Sequence, residues 1–269
     1  MASKLINYNG FEYNISYEML NANSDIAVLF LHGWGANKEL MKKAFSSHLS
    51  QFAHIYVDMP GFGASSIDKS LYTNDYANIM QIFINSLKNP PSIIIGHSFG
   101  GKVATLLNPK NLVLLSTAGI VPKKRLSVRM KIAIFKALKA LGFGKFYKLF
   151  ATKDVAGMSQ TMYETLKNVV DEDFSDKFYN FFGNALIFWG DGDRATPLKS
   201  GENIHKMIKN SKFYPLKGDH FFFLLHAKFI SDMIEQSIFQ SQDLSDDSSV
   251  NGVCVLKDSV SLDYTKDVR

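Results

Sequence analysis

The sequence predicts an α/β fold: a mostly parallel central sheet with helices on both faces and an inserted helical lid. Three observations predict it. Short apolar runs of strand length alternate with helical patterns through residues 26–116, and the same alternation resumes through 185–239. Between them, 119–183 has helical character and no strand run. The core is therefore expected at 1–118 and 184–240, the lid at 119–183, and a disordered tail at 241–269.

Residues 5–17 alternate loosely and break at Asn9-Gly10, a strong short hairpin signal. The run I-A-V-L-F-L at 26–31 is unbroken, as in a strand buried on both faces. A helix is expected over 38–52, a strand over 53–58, and a helix over 72–87 with Thr73 or Asn74 as N-cap. A strand at 92–97 runs into a short helix from Phe99, and 111–116 forms the next strand. Strands at 185–189 and 212–216 flank a helix near 198–208, and a last helix covers 222–239. The tail beyond 240 is rich in Ser and Asp, with only short V-C-V-L and V-S-L islands.

With 269 residues the chain is long enough for one large domain carrying an insertion. Its one cysteine, Cys254, permits no internal disulfide and no cysteine metal cluster, so a reducing, cytoplasmic setting is expected. The N-terminus lacks the apolar core of a signal peptide, and no run approaches the ~20 residues of a transmembrane helix. The formal charge of +5 is uneven: residues 241–269 carry −3 and the other 240 carry +8. Residues 119–150 hold nine Lys or Arg and no acid. At 100° per residue, Arg125, Arg129, Lys136 and Lys139 fall within about 80° of one another, opposite Leu126, Met130, Ile134, Leu138 and Leu141. Such a helix would close its apolar face over the site as a lid. Its basic face is either a solvated surface or a dock for an anionic acyl carrier; no nucleic-acid-binding module accompanies it.

The strongest chemical signal is Gly96-His97-Ser98-Phe99-Gly100, directly after an apolar strand and directly before a helix. That placement suits a sharp strand-to-helix turn that lifts a serine hydroxyl above the sheet edge, with the helix dipole beneath it. Glycine is needed on either side because neighbouring backbone comes too close for a side chain. A serine nucleophile also needs two N–H donors where the tetrahedral oxygen will sit. The amide of Phe99 supplies one and that of Trp34, in the His32-Gly33-Trp34-Gly35 loop, the other. His32 is expected to buttress that loop, and His97 to pack. After the strand at 185–189 come Asp191 and Asp193, either able to reach a histidine on the next loop. Of seven histidines, His220 alone lies after the last strand and before the last helix. It is the expected base, and Trp34, Phe99 and Phe221 are the expected substrate contacts.

L-H-G-W-G, V-D-M-P-G-F-G-A-S, G-H-S-F-G-G, W-G-D-G-D-R-A-T-P and G-D-H together resemble the α/β-hydrolase superfamily over about residues 25–238. The resemblance implies a Ser98–Asp193–His220 triad, since the family's acid position in W-G-x-x-D falls on Asp193. It implies acyl-enzyme hydrolysis of a small-molecule ester or thioester without metal or organic cofactor. H-G-W-G with D-M-P-G-F-G resembles the pimeloyl-acyl-carrier-protein methyl ester esterases, and the overall pattern is also similar to meta-cleavage-product C–C hydrolases. Gly33-Trp34-Gly35 and Phe221 depart from the latter, which carry a Gly-Pro-Gly type loop and a Trp after the histidine. The alternatives are that C–C hydrolase and a non-catalytic binding protein on the same fold.

Overall fold

Asn9 and Gly10 both take positive φ, 50° and 80°, as a two-residue hairpin requires, and join β1 (Ala2–Tyr8) to β2 (Phe11–Leu20). The computed structural model describes residues 2–121 and 158–250, with side chains to 239. In β3 (Ala27–Leu31), β4 (Ala53–Val57) and β5 (Ile93–His97) every residue is buried, which explains the unbroken apolar runs. The sheet is completed by β6 (Asn111–Leu115), β7 (Asn184–Gly190) and β8 (Ser211–Leu216) in the order β1-β2-β4-β3-β5-β6-β7-β8. β1, β2 and β4 pair antiparallel, and every other pairing is parallel.

Between the strands lie α1 (Lys38–Phe45), α2 (Thr73–Asn85), α3 (Phe99–Leu107) and α6 (Leu198–Met207). The pleat separates two packed faces. Leu29, Ile55, Ile94 and Leu112 share one core with Met80 of α2 and Val103 of α3. Phe30 points the other way, 5.4 Å from Phe45 of α1 and 4.5 Å from Tyr56. Phe45 in turn faces Phe223, the first residue of α7 (Phe223–Val250). Helices thus cover both faces, as the sequence predicts.

Three boundaries differ from expectation. α1 stops at Phe45 rather than 52, because the chain turns back there and Leu49 adopts φ 53°. α2 is capped at Tyr72, not at Thr73 or Asn74: the Asp75 carboxylate accepts the Tyr72 amide at 2.8 Å and the Tyr8 hydroxyl at 2.8 Å. α7 reaches Val250, with a non-helical turn at His226.

The chain divides into two units, 1–231 and 232–269; the sheet belongs to the first, and the described part of the second continues α7. Within 119–183 the described residues form α4 (Gln160–Val169) and α5 (Ser175–Tyr179). Residues 122–157, with all four of Arg125, Arg129, Lys136 and Lys139, lie outside the described residues, as do 251–269 with Cys254.

Candidate active site

β5 delivers Ser98 into the turn before α3, where its backbone stands at φ 51°, ψ −113°. That is a conformation side chains avoid, and here the surroundings over-determine it. The Ser98 amide donates to the Leu115 carbonyl on β6 at 3.1 Å, and the Ser98 carbonyl accepts from Ala118 and Gly101 at 3.0 and 3.1 Å. The flanking glycines are steric necessities. A Cβ at Gly96 would stand 2.5 Å from the Gly100 carbonyl oxygen, and one at Gly100 2.5 Å from that of His32.

β7 and β8 end side by side, so their following loops meet. The His220 Nδ1 proton goes to Asp193 Oδ2 at 2.7 Å. Asp193 is itself held on both oxygens: Oδ1 accepts the amides of Ala195 (2.8 Å) and Thr196 (2.9 Å), and Oδ2 also accepts the Thr196 hydroxyl (2.8 Å). Burial alone would raise the Asp193 carboxyl. The bonds from His220 and from the Thr196 amide and hydroxyl together outweigh it and hold it down at about 2. Asp191 does different work, accepting the Gly218 amide at 3.0 Å.

The loop after β3 is braced from below. His32 Nδ1 donates to the Gly33 carbonyl at 2.8 Å, and Nε2 accepts the Met59 amide at 3.1 Å, so the ring is one fixed neutral tautomer. Burial pushes its pKa down to about 4. The Met59 loop is anchored by Asp58, wholly buried, which accepts the Lys38 ammonium at 2.6 Å and the amides of Lys38 and Ala64 at 2.7 and 2.9 Å. His32 therefore sits as the expected buttress.

Trp34, Ser98, Phe99 and Thr196 line one cavity of about 260 Å³, together with Ile120, Leu166 and Val169. Trp34 meets Phe99 edge-on, with centroids 5.5 Å apart. Phe99 opens α3, where a first-turn amide has no intrahelical acceptor. Phe221 lies outside the cavity lining, 43 % exposed and 5.5 Å from the His220 ring.

Sequence reasoning missed several neighbours. Thr196 braces Asp193; its place in A-T-P three residues on was the available signal. Lys102, one turn past Ser98, is buried in the cavity wall. Its ammonium donates to the last carbonyl of α4, Val169, at 2.6 Å and to Glu172 at 2.8 Å, and sits 4.6 Å over the Phe174 ring. Glu172 also accepts the Thr73 hydroxyl. Nothing local in G-K-V-A announces this. His97, expected to pack, does so but also makes a polar contact, discussed below.

The sheet order, the elbow serine and the paired loops define the α/β-hydrolase fold, and a family model described as alpha/beta hydrolase fold matches residues 26–118. The chain has the α/β-hydrolase fold, and its matches point to a hydrolase of esterase-like kind. It is 22 % identical over 244 residues to "Uncharacterized hydrolase YugF" of Bacillus subtilis (strain 168), covering 76 % of this chain and 86 % of that one. It is 23 % identical to a pimeloyl-[acyl-carrier protein] methyl ester esterase of Vibrio parahaemolyticus, covering 81 % of this chain and 93 % of the relative. An esterase from Exiguobacterium antarcticum superposes with a TM-score of 0.68 at 22 % identity, over 88 % of this chain and 99 % of the other, a likeness of fold.

Proposed function

We propose that the chain is a serine hydrolase that cleaves a small-molecule carboxylic ester or thioester through an acyl-enzyme. The observation that carries the reading is the 2.7 Å bond from His220 to Asp193 beside the serine turn at φ 51°. In this mechanism His220 Nε2 takes the Ser98 proton as Oγ attacks the carbonyl carbon. The tetrahedral oxygen accepts the amides of Trp34 and Phe99. His220 then protonates the leaving group, and afterwards activates a water that releases the acid. Asp193, kept ionised, holds the imidazole in one tautomer and stabilises its cation. Trp34 and Phe99 contact the acyl group, with Phe221 at the His220 side. The nine basic side chains in residues 119–150 favour an anionic acyl carrier as the donor over a neutral one. No described helix is long and apolar enough to cross a membrane, and the lone cysteine suits a cytoplasmic enzyme.

Fluorophosphonate labelling tests the nucleophile. Wild type should be labelled at Ser98, and Ser98→Ala should lose labelling and about 10⁶-fold in kcat while keeping its fold. Wild-type-like hydrolysis by that variant sinks the reading. Parallel panels of acyl esters, acyl thioesters and dienoates then assign the bond broken, with esters or thioesters expected to turn over.

A further inference from the structure

We propose that His97 is a positioning residue: its side chain ties the serine elbow to the loop carrying His220 and so sets where the base stands over Ser98. The inference rests on the serine-hydrolase reading and adds a residue to it.

His97 is the last residue of β5, and its side chain is buried. Nε2 lies 3.0 Å from the backbone carbonyl oxygen of His220. A carbonyl can only accept, so Nε2 carries the proton and Nδ1 is bare. Nδ1 has no hydrogen-bond partner and lies against Gly33, where a Cβ would stand 2.9 Å from it. The ring packs 4.7 Å from that of His220, 4.8 Å from Phe223 and 5.5 Å from Phe221. One side chain thus touches the elbow, the Gly33 loop and the His220 loop.

The His220 loop is held from the β7 side by Asp193 and by the Gly192 amide, which donates to the Gly218 carbonyl at 2.9 Å. Among the described residues, the bond from His97 is the one that reaches residues 219–221 from the elbow side. Without it the imidazole could keep Asp193 and still swing away from Ser98, because one hydrogen bond leaves a rotation free. The titratable groups facing His97 are His220, Asp193 and His32. Burial first, and then the neighbouring His220, push His97 down to about 3, so it stays neutral. A cation there would oppose the imidazolium that acyl transfer forms on His220. A neutral donor positions without that penalty.

The test compares His97→Leu, which removes the donor, with His97→Gln, whose amide reaches about as far as Nε2, and His97→Asn, whose amide falls short. Two readouts are taken on the full chain: kcat and KM on a small neutral p-nitrophenyl ester, and the downfield proton NMR signal of the His220–Asp193 bridge. We expect the Leu and Asn variants to lose roughly ten- to a hundredfold in kcat with KM unchanged, and their bridging-proton signal to broaden. Gln should recover both. Wild-type kcat and signal in the Leu and Asn variants would overturn the proposal, as would Gln behaving like Asn. Should Leu fail to fold, the Gln–Asn pair decides alone. If wild type hydrolyses nothing, the serine-hydrolase reading falls, while the NMR comparison still decides whether His97 orders the His220 loop.

Discussion

Ser98 at φ 51° and Asp193 with both oxygens engaged are single residues whose local state is fixed by hydrogen bonds from neighbouring loops. The two carboxylates after β7 were equivalent by position, and their partners separate them. Asp193→Asn should lose about 10⁴-fold in kcat, the scale of losing an orienting carboxylate. Asp191→Asn should lose little, since its oxygen serves the Gly218 amide; steady-state kinetics on the two purified variants decides, and a dead Asp191→Asn refutes the assignment. The buried histidines make a second prediction at this scale. His32 and His97 have folded values of about 4 and about 3 against 6.5 unfolded, so between those limits the unfolded chain binds protons that the folded chain refuses. Stability therefore falls as pH drops below 6.5. Asp193 acts with the opposite charge in a lower window: its depressed value contributes above 3.8 and is lost as pH falls toward 2. The urea midpoint should drop from about pH 7 to about pH 4.5, and less steeply in His97→Leu, with the m-value constant. Parallel curves for the two proteins would contradict this.

The elements around the serine are locked by backbone contact and by two ion pairs, Lys38–Asp58 buried on both sides and Lys102–Glu172 with a partly exposed carboxylate. β5 and α3 approach so closely at Gly96 that an added Cβ meets carbonyl oxygen and the Gly101 Cα, 2.5 and 2.6 Å away. Neither is a side chain that can turn aside. Gly96→Ala should cost about 1–3 kcal/mol by overpacking and reduce activity with it, as read by urea unfolding and esterase assay. Asp58 joins the start of α1 to the loop after β4, and through Met59 it steadies His32. Asp58→Ala leaves the Lys38 ammonium buried and unpaired, and should cost about 3–5 kcal/mol in unfolding free energy. An unchanged urea midpoint would show that water or a rearranged Lys38 takes the place of the pair. The Lys102–Glu172 pair plays a related part for α4, satisfying the carbonyl at its C-terminus while walling the cavity.

Across the whole molecule the charge asymmetry is the feature with consequences: +8 over residues 1–240, with nine basic side chains in 119–150, against −3 over 241–269. Exposed charge of one sign speeds encounter with an oppositely charged partner and weakens as the Debye length shrinks. Reversing Arg125, Arg129, Lys136 and Lys139 to Glu should raise KM for an anionic acyl donor such as an acyl-coenzyme A roughly tenfold at low salt. The effect should fade at high salt, and hydrolysis of a small neutral ester should barely change. Equal behaviour toward both substrates would leave the basic stripe as a solvated surface.

The sequence by itself determined the parts that are local. Unbroken apolar runs mark the buried strands, Asn9-Gly10 marks a turn that only positive φ can make, and Gly-x-Ser-x-Gly after a strand marks the elbow. Each is set by sterics and solvation acting over a few neighbouring residues. The helix ends were less legible: Phe45 and Tyr72 are chosen by a left-handed turn and by a carboxylate shared with the hairpin. Tertiary structure alone decided that Lys102 meets Glu172 and that His97 bonds a carbonyl 123 residues away. These depend on the register in which β5, β6, β7 and β8 line up their ends. Register follows from burying a whole sheet at once, and no window of sequence contains it.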